Sequence, residues 1–535
     1  MAIEMFDVCV IGSGAAGGIL AKELAEGGAK VALVEAGRKL TPEDFQFHTW
    51  PYEYPYKGTT RSIARPYYPR EVVEAIRYED SDDIGIDHVR AVGGRTNHWN
   101  AVCLRFAPSD FRERSLAGVE DDWPITYDDL APFYSYVEKM IGVTGSKEGY
   151  EFAPDGEYLP PLNLRCSEMI VKQACKRLGV PMFPARKALL TQPHDGRPPC
   201  HYCGRCMQGC DVSAIFNSAT AMIPKAQQTG NFTLFQNKAA REVLLDRQGR
   251  ARAVSVIDTV TRSEEEIRAR NFALCCATVQ SARLLLNSRS PRFPEGLANS
   301  SGLVGRYLSG HVGIEVCGYL EDLAGTPSIN NDGATDHSYI PRFKNSKNYA
   351  GGFQYQMQFK GFMFPHHAYF LKGFGRSFKK EVRELYPALF QMGAFGKVLA
   401  NPNNRVIVDP NQPDAYGIPI PVIHFRFGES EVAMCKDMIT TAHEILHEAK
   451  CRKIINTHPN PGGLASHEVG TARMGHDPRK SVVDSHNRAH DVKNLFVVDG
   501  SCFVTFPEKN PTLTIMALAA RAARYMHEEA RKGNL

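Results

Sequence analysis

Apolar and polar positions at the start of the chain follow the order strand, turn, helix, strand. The apolar runs FDVCVIG and KVALVEA flank AAGGILAKELAEGG, whose apolar spacing predicts a buried helix. A similar unit closes the chain, where NLFVVDG precedes the helical pattern of NPTLTIMALAARAARYMHEEARKG. Strands that alternate with helices predict a parallel sheet with helices on its faces. We therefore expect an α/β domain of the doubly wound, Rossmann type, to which both ends of the chain contribute.

The part of the chain that lies between these two units does not repeat their strand–helix pattern. Residues 41–87 are rich in proline, tyrosine and charge and have no clean period, which predicts a lid-like excursion over the surface. A helix is expected to begin at Thr126, because two aspartates follow in its first turn. Short alternating strands are predicted within FTLFQN, REVLLD and ARAVSVID.

Residues 311–460 have a different sequence pattern from the rest of the chain. Their apolar positions are aromatic-rich, as in GGFQYQMQFKGFMF, and a helix is predicted at 429–450. This pattern indicates an α+β substrate-binding domain on a mostly antiparallel sheet. The predicted division of the chain is a discontinuous cofactor-binding domain at 1–310 and 461–535, and a substrate-binding domain at 311–460.

Three glycines lie between the first predicted strand and helix in the order G-x-G-x-x-G. Gly12 permits a tight turn, Gly14 lets the backbone approach a pyrophosphate, and Gly17 allows the helix to pack closely on the strand. Glu35 ends the next strand, where a carboxylate can bind the ribose hydroxyls of an adenosine. The sequence therefore predicts a dinucleotide site, although this fingerprint alone does not separate NAD from FAD.

Composition narrows the class of protein. The 535 residues carry a net charge of only +4, with 43% hydrophobic and 23% charged residues, so we expect a soluble enzyme without a nucleic-acid partner. No apolar run approaches the roughly 20 residues of a membrane span, and the N-terminus does not have a signal-peptide pattern. The expected location is the cytoplasm, or the periplasm if a partner carries the export signal.

Several further segments resemble the glucose-methanol-choline (GMC) oxidoreductases. They are VGGRTNHWNA, VGRYLSGH, SHEVGTARMG, NLFVVDGS and NPTLTIMALAAR, which occur in this order from residue 92 to residue 521. The resemblance implies FAD as the cofactor and favours the sugar and glycoside dehydrogenase branch, with pyranose 2-oxidase as a further relative. One departure is Ala277-Thr278, where many relatives have Ala-Gly, so the approach to the adenosine half of FAD is expected to differ.

The fingerprint and the resemblance together give a set of cofactor-binding residues. The resemblance implies that Asp499 and Gly500 contact the ribityl-phosphate region of the flavin. It also implies that His98 occupies the position where some relatives attach the flavin covalently, which leaves covalent attachment and a simple contact as alternatives. The predicted residues are Gly12, Gly14, Ala15, Ala16, Gly17, Glu35, Ala36, Gly93, Gly94, Thr96, Asn97, His98, Trp99, Asn100, Asp499, Gly500, Pro511 and Thr512.

The same resemblance implies two catalytic residues, His467 and Asn510. A neutral imidazole is a suitable proton acceptor near pH 7, and an amide can hold the same substrate oxygen without competing for its proton. Asn510 precedes Pro511, so it is also expected to cap a helix whose N-terminus points at the flavin.

Four of the 14 cysteines form C-x2-C-x2-C-x3-C at Cys200, Cys203, Cys206 and Cys210, within a predicted loop at 195–215. The run resembles ferredoxin cluster motifs. Relatives of the glucose dehydrogenase type hold a [3Fe–4S] cluster with the spacing of Cys200, Cys206 and Cys210. Cys203 is a departure from that spacing, and the alternatives for it are the fourth ligand of a [4Fe–4S] cluster and a bystander. A zinc site and a reduced cysteine-rich loop are the alternatives.

Together these features predict an FAD-dependent dehydrogenase that oxidises a secondary or anomeric hydroxyl of a sugar or glycoside. Electrons would pass through the iron–sulfur cluster to an external acceptor, with a small partner subunit or a cytochrome as expected partners. Aromatic residues Phe353, Tyr355 and Phe359 could stack on a sugar or belong to the core. The alternatives are an oxidase that uses O2 without a cluster, a non-catalytic flavoprotein subunit for electron transfer or assembly, and a minor NAD-dependent option.

Overall fold

The computed structural model describes most of the chain. The described residues are 5–45, 76–82, 84–86, 88–204, 206, 209–327, 334–358, 368, 370–463 and 467–535. Most of the predicted excursion at 41–87, and Phe359 with the end of its predicted strand, lie outside the described residues.

The first sheet joins the two ends of the chain. Strand β1 lies in its middle and pairs in parallel with β2 on one side and β8 on the other. The last strand, β16, pairs in parallel with β8, so the C-terminal segment is built into the same sheet as the first strand. The bounds are β1 Met5–Ile11, β2 Val31–Val34, β5 Phe232–Phe235, β6 Lys238–Leu245, β7 Ala251–Asp258, β8 Glu264–Leu274 and β16 Leu495–Val497.

The second sheet is antiparallel, in the order β15-β9-β12-β11-β10-β4. The alternation along β11 puts Phe353, Tyr355 and Met357 into the apolar core beneath the sheet, which excludes the first two from stacking on a ligand in the cavity. The bounds are β4 Phe183–Pro184, β9 His311–Leu320, β10 Ser338–Ile340, β11 Phe353–Met357, β12 Leu389–Lys397 and β15 Cys451–Gly463.

A third, small sheet has the order β13-β14-β3. Its strands are β3 Arg77–Ser81, β13 Arg405–Pro413 and β14 Pro419–Phe425. Strand β3 lies within the predicted excursion, which was expected to have no regular structure, and it forms because it pairs in parallel with β14 at the edge of the sheet. A partner strand from more than 300 residues away leaves no trace in a local pattern.

Ten helices of the described residues cover these sheets. The predicted helix start at Thr126 is confirmed, because its hydroxyl accepts from the Asp129 backbone amide in a capping box. The bounds are α1 Ala15–Glu26, α2 Glu113–Ala117, α3 Tyr127–Ile141, α4 Cys166–Arg177, α5 Ser218–Ala221, α6 Ile223–Gln228, α7 Thr278–Asn287, α8 Gly375–Leu385, α9 Glu429–Glu448 and α10 Thr512–Arg531.

The packing explains why the two ends of the chain meet. Helix α1 from the N-terminal unit packs against α10 from the C-terminal unit, and α10 also packs against α3. The largest apolar core includes residues from all three helices and from the first sheet. The predicted fold class, a Rossmann-type domain with an α+β second sheet, is confirmed. In the part of the chain that the structure describes, no helix is both long enough and apolar enough to cross a bilayer.

Candidate active site

The glycine turn after β1 has the geometry that its three glycines predict. Gly12 has φ +99°, and a Cβ there would lie 2.3 Å from the Cys275 carbonyl oxygen. A Cβ at Gly17 would lie 1.8 Å from the Gly12 carbonyl oxygen, so α1 approaches the turn too closely for any side chain. Gly14 differs, because no atom lies within 4 Å of a Cβ built on it. The turn is therefore closed at its two outer glycines and open at the middle one.

Helix α1 begins directly at this opening. Gly14 is its N-cap and supplies no side-chain acceptor, so the first-turn amides are available to a ligand. The Glu35 carboxylate accepts hydrogen bonds from the Ser13 hydroxyl at 2.6 Å and from the Gly37 amide at 3.0 Å. Burial raises the pKa of Glu35, and these hydrogen bonds oppose the rise. Amide donors at a helix start and a carboxylate acceptor at the adjacent strand end are the groups that bind the pyrophosphate and the ribose of a dinucleotide.

A cavity of about 530 Å³ extends from this turn to the second sheet. That volume is in the range of cofactor and ligand sites. Most of the predicted residues line it: Gly12, Gly14, Ala15, Ala16, Glu35, Ala36, Gly94, Thr96, His98, Trp99, Asn100, His467, Asp499, Gly500, Asn510, Pro511 and Thr512. One cavity therefore joins the fingerprint to the predicted catalytic pair.

Gly17, Gly93 and Asn97 are not among the cavity-lining residues, and each shapes the wall instead. Gly93 has φ +96° and stands at the start of a short 3-10 turn, Gly94–Asn97. The Asn97 amide donates to the Gly94 carbonyl at 2.8 Å, which holds that turn closed. The predicted packing role of Gly17 agrees with its close approach to the Gly12 carbonyl, and contacts of Gly93 and Asn97 with the cofactor stay predictions.

The turn is anchored from several directions. The Gly93 amide donates to the Ser13 hydroxyl at 2.9 Å, which connects the segment to the glycine turn. The Trp99 indole donates to the Phe216 carbonyl at 2.8 Å. His98 is 3% exposed, lines the cavity and lies edge-on to Phe45. Both a covalent and a non-covalent flavin contact are compatible with this position, so covalent attachment stays a prediction.

Ala277 and Asp499 lie where the first sheet meets the cavity. Ala277 has φ +75° and is the N-cap of α7, a backbone conformation that favours glycine. The Asp499 carboxylate accepts from the Ser281 hydroxyl at 2.5 Å and from the Ser501 amide at 2.9 Å. The Thr278 hydroxyl donates to the Glu468 carbonyl at 2.7 Å, so the departure from Ala-Gly connects α7 to the segment after His467.

His467 and Asn510 meet at the other end of the cavity. The Nε2 atom of His467 lies 3.2 Å from Nδ2 of Asn510, and the Asn510 Oδ1 accepts from Gln356 Nε2 at 2.6 Å. The expected helix cap is wrong, because α10 begins at Thr512 with Pro511 as its N-cap. The Asn510 side chain instead turns away from the helix toward His467 and Gln356, which satisfy both ends of its amide.

The protonation state of His467 follows from its surroundings. Burial lowers its pKa well below the usual range, and His311 and Arg95 lower it further. The imidazole is therefore neutral at pH 7 and able to accept a proton.

An ion cluster beside His467 was not predicted. Arg95 donates to both oxygens of Glu468, at 3.0 and 2.6 Å, and His88 Nε2 lies 3.2 Å from the same carboxylate. Burial alone would raise the pKa of Glu468, but Arg95 and His88 hold it below the usual range. Glu468 directly follows the predicted catalytic histidine, but its partners come from a segment more than 370 residues away, so a local pattern could not indicate the cluster.

Gln356 and His311 are the other functional residues that the sequence reasoning missed. Gln356 lines the cavity from β11, and the alternation of FQYQM could have indicated it, since Phe353, Tyr355 and Met357 are apolar and the glutamines between them are not. His311 begins β9 at the end of the VGRYLSGH segment, which supported the family resemblance but indicated no role for this histidine.

The cysteine loop is separate from this cavity. Cys206 is 7% exposed, and the Cys200 thiol accepts from the Tyr202 amide at 3.2 Å. Among the residues that the structure describes, which omit 205, 207 and 208, no group of three or more His, Cys, Asp or Glu side chains is arranged to hold a metal ion. The iron–sulfur cluster stays a prediction.

The first sheet is parallel around β1, and the β6–β7 and β7–β8 pairs are antiparallel. Its glycine turn and C-terminal strand border one cavity with a neutral histidine at the far end, which defines a dinucleotide-dependent oxidoreductase. Residues 21–313 and 401–519 match the N-terminal and C-terminal domains described as GMC oxidoreductase, and the chain belongs to that family. The predicted resemblance is thus confirmed. It is an FAD-dependent oxidoreductase, and the opening at Gly14 with the free first turn of α1 fits the pyrophosphate of FAD.

The relatives that match this chain over nearly its full length are named as dehydrogenases and oxidases. The chain is 28% identical to the fructose dehydrogenase large subunit of Gluconobacter japonicus, covering 98% of each chain. It is 30% identical to the 6'''-hydroxyparomomycin C oxidase of Streptomyces lividus, over 97% of this chain and 91% of that protein. The solved structure of pyridoxine 4-oxidase from Mesorbium loti is similar with a TM-score of 0.66 at 18% identity, covering 98% of this chain and 99% of that one, which shows the shared fold.

Proposed function

We propose that this protein is an FAD-dependent dehydrogenase that oxidises a secondary or anomeric hydroxyl of a sugar or glycoside. The observation that carries the proposal is the pair of His467 and Asn510 in the cavity that begins at the glycine turn. Relatives named for fructose and for a hydroxylated aminoglycoside support a carbohydrate substrate.

The chemistry of the site suits a hydroxyl. Bound FAD supplies the acceptor for the hydride that leaves the carbinol carbon. His467 takes the hydroxyl proton at Nε2, because its burial keeps the ring neutral. The Asn510 amide donates to the substrate oxygen and orients it. Gln356 holds that amide, since its own Nε2 donates to the Asn510 Oδ1.

Polar groups in the cavity wall also favour a polyhydroxylated substrate over a plain alcohol. Asn100, Asp336 and Gln356 line it beside the catalytic pair, and they combine donors with acceptors. Of these groups, Asp336 Oδ1 is buried without a hydrogen-bond partner among the described residues. A substrate hydroxyl could donate to it, whereas an apolar substrate would leave it unpaired.

Anaerobic titration tests the proposal. The purified, FAD-loaded protein is mixed with sugars, glycosides, polyols and simple alcohols, and bleaching of the flavin absorbance is followed. A sugar or glycoside is expected to bleach the flavin, and His467→Ala is expected to abolish the bleaching. If no compound of the four classes reduces the flavin, the protein is the non-catalytic flavoprotein subunit of the alternative prediction.

The electron acceptor is a separate part of the proposal. We favour an external acceptor, with a small partner subunit or cytochrome, because one relative is named as a large subunit. The oxidase alternative has its own support in the relative named as an oxidase. Oxygen consumption with substrate and no added dye would decide for the oxidase, and turnover that requires a dye would decide for the dehydrogenase.

The run Cys200–Cys210 carries a further prediction, an iron–sulfur cluster. Iron and acid-labile sulfide analysis of anaerobically purified protein tests it, with Cys206→Ser as the variant expected to lose both. A full complement of FAD without iron would rule out the cluster prediction. The proposed oxidation of a sugar would not be affected by that result.

A further inference from the structure

Hydrogen bonds connect His467 to residues on both of its sides in one continuous row. We name the row of Pro507 carbonyl, His311, His467, Asn510 and Gln356 the relay. His311 Nε2 lies 2.8 Å from the Pro507 carbonyl oxygen, and His311 Nδ1 lies 3.0 Å from His467 Nδ1. The other side of the row is the contact of His467 Nε2 with Asn510 and of Asn510 with Gln356.

The carbonyl at one end determines where each proton lies. A carbonyl oxygen only accepts, so His311 must carry its proton on Nε2. Burial lowers the pKa of His311 to about 4, so the ring is neutral and its Nδ1 has only a lone pair. His467 must then donate from Nδ1 to His311. The Nε2 atom of His467 is left as an acceptor, which faces the Asn510 amide.

The hydrogen bonds on the Asn510 side of the relay are consistent with His467 Nε2 as an acceptor. Asn510 presents its NH2 group to His467, so its oxygen must accept from Gln356. Gln354, two positions earlier on the same strand, donates its NH2 group to the Glu508 carbonyl at 2.6 Å, and the same nitrogen lies 3.4 Å from Asn510 Oδ1, so the Asn510 oxygen faces donors on both glutamines. Two backbone carbonyls, at Pro507 and Glu508, thus lead independently to one arrangement of protons.

The surroundings of His311 keep its ring in place. The side chain is 2% exposed and stacks on Phe506, with 4.3 Å between ring centroids and 10° between planes. Phe395 meets it edge-on at 5.8 Å. This packing fixes the plane of the imidazole. A 180° flip within that plane would set ring carbons against His467 and the Pro507 carbonyl, so the two hydrogen bonds fix which nitrogen faces His467.

We propose that His311 is a positioning residue, which holds His467 in the tautomer that carries its proton on Nδ1 and leaves Nε2 as the base. The opposite tautomer would set the bare Nδ1 of His467 against the bare Nδ1 of His311, and an N–H against the NH2 of Asn510. Both hydrogen bonds of His467 would be lost. The inference rests on the proposed function for the role of His467, but the tautomer itself does not depend on any substrate.

Nitrogen NMR measures the tautomer directly. The FAD-loaded protein is labelled with ¹⁵N in its histidine rings and studied at neutral pH without substrate, and the His467 signals are assigned by their loss in His467→Ala. The proposal requires a protonated Nδ1 and an unprotonated Nε2 on His467. A protonated Nε2 on His467 in the unaltered protein would overturn it, whatever the enzyme oxidises.

Two substitutions at His311 separate positioning from packing. His311→Phe retains an aromatic ring against Phe506 but provides no acceptor, so kcat is expected to fall roughly 100-fold or more, within the range of general-base catalysis. His311→Asn places an amide oxygen near the former Nδ1, and it should keep kcat within about tenfold of the unaltered enzyme. His476→Asn, at an exposed histidine outside the cavity, is the control and should change nothing.

The readouts distinguish this proposal from the proposed function. In His311→Phe the ¹⁵N signals should show His467 losing its preference for Nδ1, while KM and FAD content stay within about threefold. Equal losses in the Phe and Asn variants, with the His467 tautomer unchanged, would make His311 merely structural. If the NMR result holds but no sugar is oxidised, the proposed function fails and the relay stands.

Discussion

The Nε2 atom of His467 and the Nδ2 atom of Asn510 lie 3.2 Å apart, although 43 residues separate them in the chain. His467 follows the end of the second sheet, and Asn510 precedes the helix that packs on α1. The pair therefore forms only when the two sheets are correctly joined, and its contact connects the substrate side of the cavity to the cofactor side.

Replacing each member of this pair should have a different effect. His467→Ala removes the base, and the rate of flavin reduction is expected to fall about 10²–10⁴-fold. Asn510→Ala removes one donor to the substrate oxygen, for which about tenfold is expected, equivalent to roughly 1.4 kcal/mol. Stopped-flow absorbance under anaerobic conditions measures both. A larger loss from Asn510→Ala than from His467→Ala, at equal FAD content, would contradict these roles.

The acid limit of the reaction should lie below the ordinary range of histidine. In the proposed function the neutral form of His467 is the active one, and burial lowers its pKa well below the usual 6.5. Flavin reduction by a neutral sugar should therefore remain constant as the pH falls from 7 through 6.5, and decline only at lower pH. A rate that is already half lost near pH 6.5 would show that His467 is not shielded as this structure indicates.

Local patterns were sufficient for the dinucleotide turn and for α3, because a glycine spacing and a capping box are short-range features. The contact of Arg95 with Glu468, and that of His311 with His467, could not be predicted from such patterns. Both join segments far apart in sequence, and each depends on how the sheets pack. The prediction that Asn510 caps a helix was wrong for a similar reason, because its side-chain oxygen accepts from Gln356, a residue distant in sequence, and not from the helix backbone.

The glycine turn offers a matched pair of substitutions. Gly14→Ala places a methyl group in open space at the cavity, so the FAD-free protein should melt within about 2 °C of the parent, while FAD affinity falls at least tenfold. Gly17→Ala drives a Cβ to 1.8 Å from the Gly12 carbonyl oxygen, and should destabilise the FAD-free protein itself. Thermal melting of FAD-free protein and fluorescence titration with FAD measure the two effects.

The contrast between the two glycines is the control in that experiment. If Gly14→Ala lowered the melting temperature as much as Gly17→Ala, then the turn would be tightly packed at its middle glycine as well. If it left FAD affinity unchanged, the pyrophosphate would not approach Gly14.

A buried ion cluster next to Asn510 leads to the last prediction. Lys509 Nζ lies 2.9 Å from Asp110 Oδ2 and 2.7 Å from Glu508 Oε1, and all three side chains are at most 3% exposed. Burial would lower the pKa of Lys509, but the two carboxylates raise it, so the lysine is charged. Lys509→Met leaves two buried carboxylates together without a cation, a change that costs about 3–5 kcal/mol in comparable cases.

Lys509→Met should therefore lower the melting temperature at pH 7, and the deficit should shrink as the pH falls. Burial already raises the pKa of Asp110 in the parent, whereas Lys509 helps to hold the pKa of Glu508 below its usual range. Removing the lysine raises both folded-state pKa values, so protonation favours the folded variant more than the folded parent. Lys509→Met combined with Asp110→Asn should recover part of the loss at pH 7. The control Lys532→Met, at an exposed lysine paired with Glu529, should leave the midpoint unchanged. A deficit for Lys509→Met that is the same at pH 7 and pH 5 would show that lost packing, and not uncompensated charge, is the cause.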